Sequence, residues 1–475
     1  MANMTVKLKI SALKKIKAST SLKEIAYLVK SLKDNNAFGS TIASEVDKKI
    51  DELEDSSSAR DIAFILKAVS DVYDVYDPKL YEIGEPGALG FGVATCLDEN
   101  IPTGITPMLG HDIIIHENYG NYIDENGSIL VHVPKHYYKF DGNELYISAT
   151  EKVGYVLERS FINAGEEKTG VFIYKYGASN SNGIFTSKKF AKPLSTRGDH
   201  NPISELNGNP ANNLGGLYSA AKTAGDNYYL MSVFNYKMLA RLAYCHGKAA
   251  TSTATCAYID VEPKMPKGNL ANSLRDVNDV SVNFDAEGYS NCALTGSGFP
   301  FSKTTHNGQD SGIADLNGNM WEVGSGFIRT DAAGFMVLKE SVDITSILTD
   351  ASTSGGAYDT SLYDVIDLSD LIDEANGWTY FGNGSEPVFG MSDDRTTDTF
   401  KRTSLGIPLS TGISASGTRE FGNDGLYKHL RNEMACRCGG FWGDSSDAGA
   451  FAMVLSNSRA HSSYYVGGRA CVFAL

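Results

Sequence analysis

The sequence predicts an α+β fold, and three features of the 475-residue chain support this prediction. Short runs rich in β-branched and aromatic residues indicate strands, and they dominate the chain after about residue 128. One long run, at 233–249, has apolar residues at intervals of three and four and therefore indicates a helix. Stretches rich in Gly, Asn, Ser and Asp separate these elements, as expected for a domain whose loops carry the function.

Composition excludes several classes of protein. Hydrophobic residues make up 42% of the chain, with 25 Tyr and 21 Phe, which is enough for a large packed core. The net charge of −15 argues against a general affinity for nucleic acid or for anionic lipid. No apolar run reaches the roughly 18 residues of a membrane span, and the start of the chain does not have the pattern of a signal peptide. We expect a protein made in a cytoplasm that binds no nucleic acid and does not insert into a membrane.

The seven cysteines do not predict a metal site or a disulfide framework. Their number is odd, their spacing is irregular, and no pair forms C-x-x-C. We expect most of them to be small buried hydrophobic residues. Cys436 and Cys438 lie two positions apart, which would place both side chains on one face of a strand.

The N-terminal region, residues 1–85, contains an internal repeat with an offset of 37 residues. SLKEIAYLVKSL at 21–32 matches SARDIAFILKAV at 58–69. Each copy opens with Ser three positions before an acidic residue and has one apolar stripe, so each is predicted to be a helix. A helix of about 12 residues needs a partner. The region therefore predicts attachment or oligomerisation, and it resembles helical adaptor segments at the start of bacteriophage tail-associated proteins.

The rest of the chain divides into a linker with a small β region at 86–127 and a larger domain at 128–475. Within this domain we predict strands at 128–140, 153–162 and 170–178, the helix at 233–249, a long insertion at about 328–430 and a variable region at about 437–469.

Motifs along this domain resemble one enzyme family. The segments are VFIYKYGAS at 171–179, SGIADLNGNMWEVGSGF at 311–327, and the closing CRCGGFW and VGGRACVFAL. They are similar to the Tyr-x-x-x-Lys-Tyr strand, the Gly-x-x-Asp-x-x-Gly-Asn-x-Trp-Glu signature and the last strands of the formylglycine-generating enzymes. The resemblance implies a C-type lectin fold, with the insertion unmatched. It also implies a scaffold of Gly318, Asn319, Trp321, Gly439, Gly440, Trp442 and Arg469.

The same resemblance argues against catalysis. In these enzymes, as the resemblance implies, two cysteines after the Gly-Gly motif bind copper and perform the oxidation. Here those places fall on Asp444 and Gly449, so the soft ligands that copper requires are missing. His132 and His136, four apart in a predicted strand, would stand about 13 Å apart, too far for one metal. We expect no enzymatic activity, no cofactor and no bound metal.

The C-terminal segment at 439–470 predicts a binding surface. GGFWGDSSDAGAFAMVLSNSRAHSSYYVGGRA resembles the variable region of diversity-generating-retroelement proteins, in which error-prone reverse transcription randomises codons derived from an Asn-coding template. The mixture of Tyr, Ser, Asn and Gly at the matching positions is typical of a paratope. Those positions are Phe441, Gly443, Asp444, Asp447, Val454, Ser456, Asn457, His461, Ser463, Tyr464 and Tyr465, with Ala450 as a further candidate.

We therefore predict a display protein for a phage tail tip or fibre, which binds a protein or glycan receptor on a bacterial cell surface. The N-terminal helices would attach to a phage structural protein or form a homo-oligomer. Two alternatives are a bacterial display protein with the same domain and an oxidase relative, which the missing cysteines disfavour. Exposed Phe441, Tyr464 and Tyr465 and buried Trp321, Trp442 and Phe451 are expected.

Overall fold

The computed structural model describes residues 80–260, 262–267, 293–298, 301–347, 358–371, 376–384, 387–417 and 421–475. Both predicted helical repeats lie outside the described residues, and so does Cys292. From Lys79 to Leu475 the chain forms one compact unit.

Helices and strands alternate irregularly along the described ranges, which contain three α-helices and 22 strands. The helices are α1 (Gly216–Lys222), α2 (Val233–Ala249) and α3 (Asp398–Ser404). The strands are β1 (Ile105–Pro107), β2 (Asn121–Asp124), β3 (Ile129–Pro134), β4 (Tyr137–Asp141), β5 (Glu144–Ser148), β6 (Val156–Leu157), β7 (Ile162–Asn163), β8 (Glu166–Glu167), β9 (Gly170–Tyr174), β10 (Ser179–Ser181), β11 (Ile184–Thr186), β12 (Tyr229–Leu230), β13 (Trp321–Thr330), β14 (Gly334–Leu338), β15 (Tyr363–Val365), β16 (Gly377–Phe381), β17 (Ile413–Ser414), β18 (Gly425–Lys428), β19 (Met434–Gly439), β20 (Gly449–Ser458), β21 (Val466–Gly467) and β22 (Ala470–Phe473). The predicted α+β class is confirmed.

The central helix α2 has the bounds that the sequence predicts. Ser232 caps it, because its side chain accepts a hydrogen bond from the Asn235 amide while the Asn235 side chain accepts one from the Ser232 amide. All residues from Val233 to Gly247 are buried, so the helix is covered on every side and not only along its apolar stripe. Lys237 is satisfied in this interior by donating to the Phe451 carbonyl at 2.9 Å.

Two of the predicted strands differ from the structure. The stretch 128–140 forms β3 and β4 with a break between them, because Pro134 ends β3 and cannot donate to a strand ladder. The stretch 153–162 is wrong as one strand. It contains β6 and the first residue of β7, and between them lies a 3₁₀ turn in which the buried Arg159 donates to the Ile162 carbonyl at 2.7 Å. The strand predicted at 170–178 is confirmed over Gly170–Tyr174, which form β9.

Two large sheets organise the chain. The first has the order β1-β2-β3-β9-β22-β12, so the C-terminal strand lies between β9 and β12. The second has nine strands in the order β15-β14-β13-β19-β20-β18-β16-β17, with β21 paired to β13. The predicted insertion at 328–430 supplies β14 to β18 of this sheet. Its strands are two to five residues long, which is why the sequence around them looked unpatterned.

The nine-stranded sheet separates two hydrophobic clusters. Phe451, Met453 and Leu455 of β20 belong to the cluster that includes α2. Ala452 and Val454, which alternate with them, belong to the cluster on the other face. The variable region is therefore anchored in the core on both faces of β20, from Gly449 to Leu455.

Candidate ligand-binding face

The predicted variable region occupies the centre of the nine-stranded sheet. It runs from the end of β19 through a loop at 441–448 into β20, which pairs with β19 on one side and with β18 on the other. After β20 the chain passes through 459–465 into β21 and β22. Two loops that flank one buried strand thus carry most of the predicted variable positions.

A glycine turn starts the first loop. Gly439 and Gly440 have φ values of +92° and +89°, which L-residues with a side chain rarely adopt. A Cβ atom at Gly440 would overlap Ala448, and one at Gly439 would overlap the Tyr236 hydroxyl of α2. A Cβ atom at Gly318, which has a φ of +86°, would also overlap Ala448. These contacts hold the ends of the 441–448 loop close together.

Four rings from the two loops form an aromatic cluster, which we define as Phe441, Trp442, Tyr464 and Tyr465. Phe441 stacks on Tyr465 with centroids 4.4 Å apart, and Trp442 lies 6.0 Å from Tyr464. Trp442 is buried, with 8% of its surface exposed. The expectation that the other three are exposed is wrong, because the rings cover one another and each is half-buried. Trp321 and Phe451 are buried as expected.

The acidic residue of the first loop closes its turn. The Asp444 carboxylate accepts a hydrogen bond from the Phe441 amide at 2.9 Å, and the Asp444 amide donates to the Phe441 carbonyl at 3.0 Å. Burial raises the pKa of Asp444 to about 6. A Cβ atom at Gly443 would contact the Phe441 ring at 2.6 Å, so this ring lies over the glycine.

The second loop is supported by residues that are distant in sequence. The Ser463 amide donates to the Thr196 hydroxyl at 2.9 Å, and that hydroxyl donates to the Ser463 carbonyl at 3.1 Å. The Arg197 guanidinium lies 5.5 Å from the centre of the Tyr464 ring. The His461 carbonyl accepts a hydrogen bond from the Leu214 amide at 3.0 Å. Sequence reasoning missed this support, and no local signal marks it.

A buried arginine holds the polar end of β20. Arg437 donates to the Ser456 hydroxyl at 2.9 Å and to the Asn457 side-chain oxygen at 2.6 Å. Its guanidinium also lies 5.7 Å from the centre of the Trp321 ring. Burial lowers the pKa of Arg437. Sequence reasoning missed this residue too, although it lies between the two cysteines of C-x-C.

The predicted variable positions do not form one uniform surface. Phe441, Gly443, Asp444, Tyr464 and Tyr465 come together around the aromatic cluster, while Ser456 and Asn457 gather at Arg437. Three candidates are buried, namely Val454, Ser463 and Ala450. Asp447 lies near Lys267, whose positive charge acts on its carboxylate.

The predicted scaffold residues make specific long-range contacts. Arg469 forms a bidentate pair with Glu322, one residue after Trp321. The Asn319 side chain forms two hydrogen bonds of 2.9 Å with the backbone of Ala293. The Trp321 amide donates to the Tyr465 carbonyl at 3.0 Å, which joins β13 to the second loop.

The side chains that commonly bind metals are mostly dispersed in the part of the chain that the structure describes. In the ranges that the structure describes, no group of three or more His, Cys, Asp or Glu side chains could hold a metal ion. The six described cysteines are free and buried, and the sulfurs of Cys436 and Cys438 lie 3.9 Å apart. His132 and His136 are buried, and burial lowers the pKa of both.

None of the described helices has the length and apolar character needed to cross a bilayer.

Comparison with known proteins gives distant structural matches. No protein-family model and no curated protein matches the sequence. Among solved structures, the U1 variant of "Major Tropism Determinant" is 10% identical, with a TM-score of 0.23, over 80% of this chain and 85% of that chain. The I1 variant is 10% identical, with a TM-score of 0.22, over 81% of this chain and 86% of that one. At these TM-scores the superpositions do not establish a common fold.

Proposed function

We propose that this chain is a receptor-binding display protein whose ligand contacts are made by the aromatic cluster and the polar residues at the end of β20. The observation that carries the proposal is the half-buried ring cluster on two loops that the sheet and a glycine turn hold in place. Tyr and Trp offer large contact areas with few rotatable bonds, and polar neighbours supply adaptable hydrogen bonds. Such rings are the residues that dominate binding energy at protein interfaces.

We further propose that a retroelement diversifies the side chains of the two loops, while the scaffold residues beneath them stay the same. No side chain of the two loops takes part in the hydrogen bonds of the buried Arg469–Glu322 pair, so substitutions in the loops need not disturb it. We further propose that the domain has a C-type lectin fold and that the setting is a phage tail. A reverse-transcriptase gene and a near-copy of the 3′ coding end with adenine-directed mismatches, found beside this gene, would support diversification. Sequenced flanks that contain neither would contradict it.

Binding itself is tested with fluorescently labelled protein on a panel of bacterial strains. The Tyr464→Ala/Tyr465→Ala double variant should lose binding to the strains that the parent labels, by about thirtyfold or more, because it removes two anchor rings. The matched control is Tyr146→Ala, since Tyr146 is 46% exposed on β5, in a different sheet. If the double variant labels cells as well as the parent does, these rings are not the ligand contacts.

We propose that residues 1–85 attach the protein to a virion component or to other copies of itself. Each copy of the repeat predicts a helix of about 12 residues with one apolar stripe. A helix of this length is only marginally stable by itself and needs a partner that covers the stripe. Removal of residues 1–78 should leave a folded protein that still binds cells. Its mass by light scattering should correspond to fewer subunits than in the full-length protein. A truncated protein that keeps the full-length oligomeric state would contradict self-association through residues 1–85.

A further inference from the structure

A strip of three aromatic side chains lies on β16 and β18, outside the predicted variable positions. We call Trp378, Tyr380 and Tyr427 the insert strip, because both strands belong to the predicted insertion. Trp378 stacks on Tyr380 with centroids 5.6 Å apart and planes 16° apart, and it lies 5.3 Å from Tyr427. All three rings are half-buried. The hydroxyl of Tyr427 lies 3.1 Å from Nε2 of His429, which fixes the outer end of that ring.

Strand pairing places the insert strip directly beside the variable region. Trp378 is paired with Tyr427 across β16 and β18, and Tyr427 is paired with Val454 across β18 and β20. Val454 is in turn paired with Arg437 of β19. These four residues form one row on one face of four adjacent strands. Tyr465 of the aromatic cluster packs on the same face, so the two sets of rings belong to one surface.

A carboxylate lies at the other end of the insert strip. Asp447 follows Ser446, whose hydroxyl accepts a hydrogen bond of 3.0 Å from Asn423, two residues before β18. Tyr380 is paired with Gly425 across β16 and β18, two residues after Asn423, so the loop that carries Asp447 lies at the Tyr380 end of the strip. The nearby Lys267 is bound to the buried Asp424. Asp424 is buried and Asp447 is half-buried, so Asp447 is the carboxylate at this end of the strip that a ligand can approach.

We propose that the insert strip and Asp447 form a subsite for a cationic side chain, a lysine or arginine, on a protein receptor. The faces of Trp and Tyr rings carry negative charge density, and an adjacent carboxylate adds to the attraction. The inference rests on the proposed receptor-binding function and specifies one class of partner. The three rings lie outside the predicted variable positions, whereas Asp447 is one of them, so variants with different loops would keep the rings and differ in the charge beside them.

Tryptophan fluorescence reports on the subsite. The chain has three tryptophans, and Trp321 and Trp442 are buried, so Trp378 is the one that a small molecule in solvent reaches most easily. The probes are N-acetyl-lysine methylamide and N-acetyl-arginine methylamide. The neutral N-acetyl-norleucine methylamide and a set of methyl glycosides serve as controls. Saturable emission changes at millimolar concentrations are expected with the two cationic probes only.

Variants separate the roles of charge and ring. Asp447→Asn, which keeps the shape of the side chain, should weaken the response to N-acetyl-lysine methylamide at least threefold. Tyr427→Leu should weaken it similarly, while Tyr146→Leu should not. An equal response to the norleucine probe or to a glycoside, or an unchanged response in Asp447→Asn, would overturn the proposal. The Tyr464→Ala/Tyr465→Ala variant should keep the response, so failure of the subsite and failure of the display function are distinguishable.

Discussion

Arg469 and Glu322 form a buried bidentate ion pair between residues that are 147 positions apart. Nε of Arg469 donates to Oε2 of Glu322 at 2.6 Å, and a terminal nitrogen donates to the second carboxylate oxygen. The same guanidinium donates to the carbonyls of Ala314 at 3.0 Å and Tyr174 at 3.2 Å. One side chain, between β21 and β22, thus ties this part of the chain to β9 and β13 and so to both large sheets.

Removal of one charge from this pair should destabilise the protein strongly. Glu322→Gln would deprive the guanidinium of Arg469, which has no exposed surface, of the carboxylate that pairs with it, at a cost of about 3–5 kcal/mol in the free energy of unfolding. Urea denaturation measures this cost. In the control Glu166→Gln, the lost pair with Lys168 involves a carboxylate that is 74% exposed, so the unfolding midpoint should hardly move. Equal midpoints for the two variants would contradict the structural role of the pair.

The aromatic cluster should divide into a structural ring and binding rings. Trp442→Ala removes a buried indole that packs on Met320, so it should cost about 3–5 kcal/mol of stability through the cavity it leaves. The half-buried Tyr464 and Tyr465 should cost less when both are replaced by Ala. Thermal unfolding of both proteins measures the difference. A double variant that unfolds before Trp442→Ala would show that the tyrosines mainly support the fold.

The glycine turn should not tolerate a side chain. Gly440→Ala combines a positive φ with an overlap on Ala448, so we expect a loss of about 2–5 kcal/mol. Gly142→Ala is the matched control, since Gly142 has φ +65° but no atom within 4 Å of its Cβ position. In Gly142→Ala only the cost of holding a residue with a Cβ atom at positive φ, about 1–2 kcal/mol, should remain. Chemical denaturation compares the two, and equal losses would show that close approach at Ala448 contributes nothing.

Asp444 should make stability depend on pH. Its pKa is raised from the ordinary value of 3.8 to about 6 in the folded protein, so between about pH 4 and 6 the folded state binds more protons than the unfolded state. The contribution of Asp444 to the free energy of unfolding therefore falls as pH rises through this range. Asp444→Asn should remove this fall, so the unfolding midpoint of the variant should rise relative to that of the parent as pH increases through the same range. A slope identical to that of the parent would contradict a raised pKa at this site.

Local rules account for the parts of the fold that the sequence predicts well. The bounds of α2 follow from its apolar spacing and from the Ser232–Asn235 capping box, which is complete within four residues. The prediction of one strand at 153–162 is wrong because apolar and aromatic residues are buried as readily in a turn as in a strand. The strands from the insertion are too short for an alternating pattern, so only their partners in the sheet define them.

The sequence by itself determined the local chemistry of the candidate site: a glycine turn, a buried tryptophan after it, and two loops rich in aromatic and polar residues. Only the tertiary structure decided which residues meet there. Thr196 under Ser463, Glu322 against Arg469, and Tyr427 beside Val454 are contacts between segments that are distant in sequence. The geometry of such pairs depends on sheet order and register. Residue type and spacing along one segment contain no information about either, because many orders of the same short strands satisfy the same local pattern.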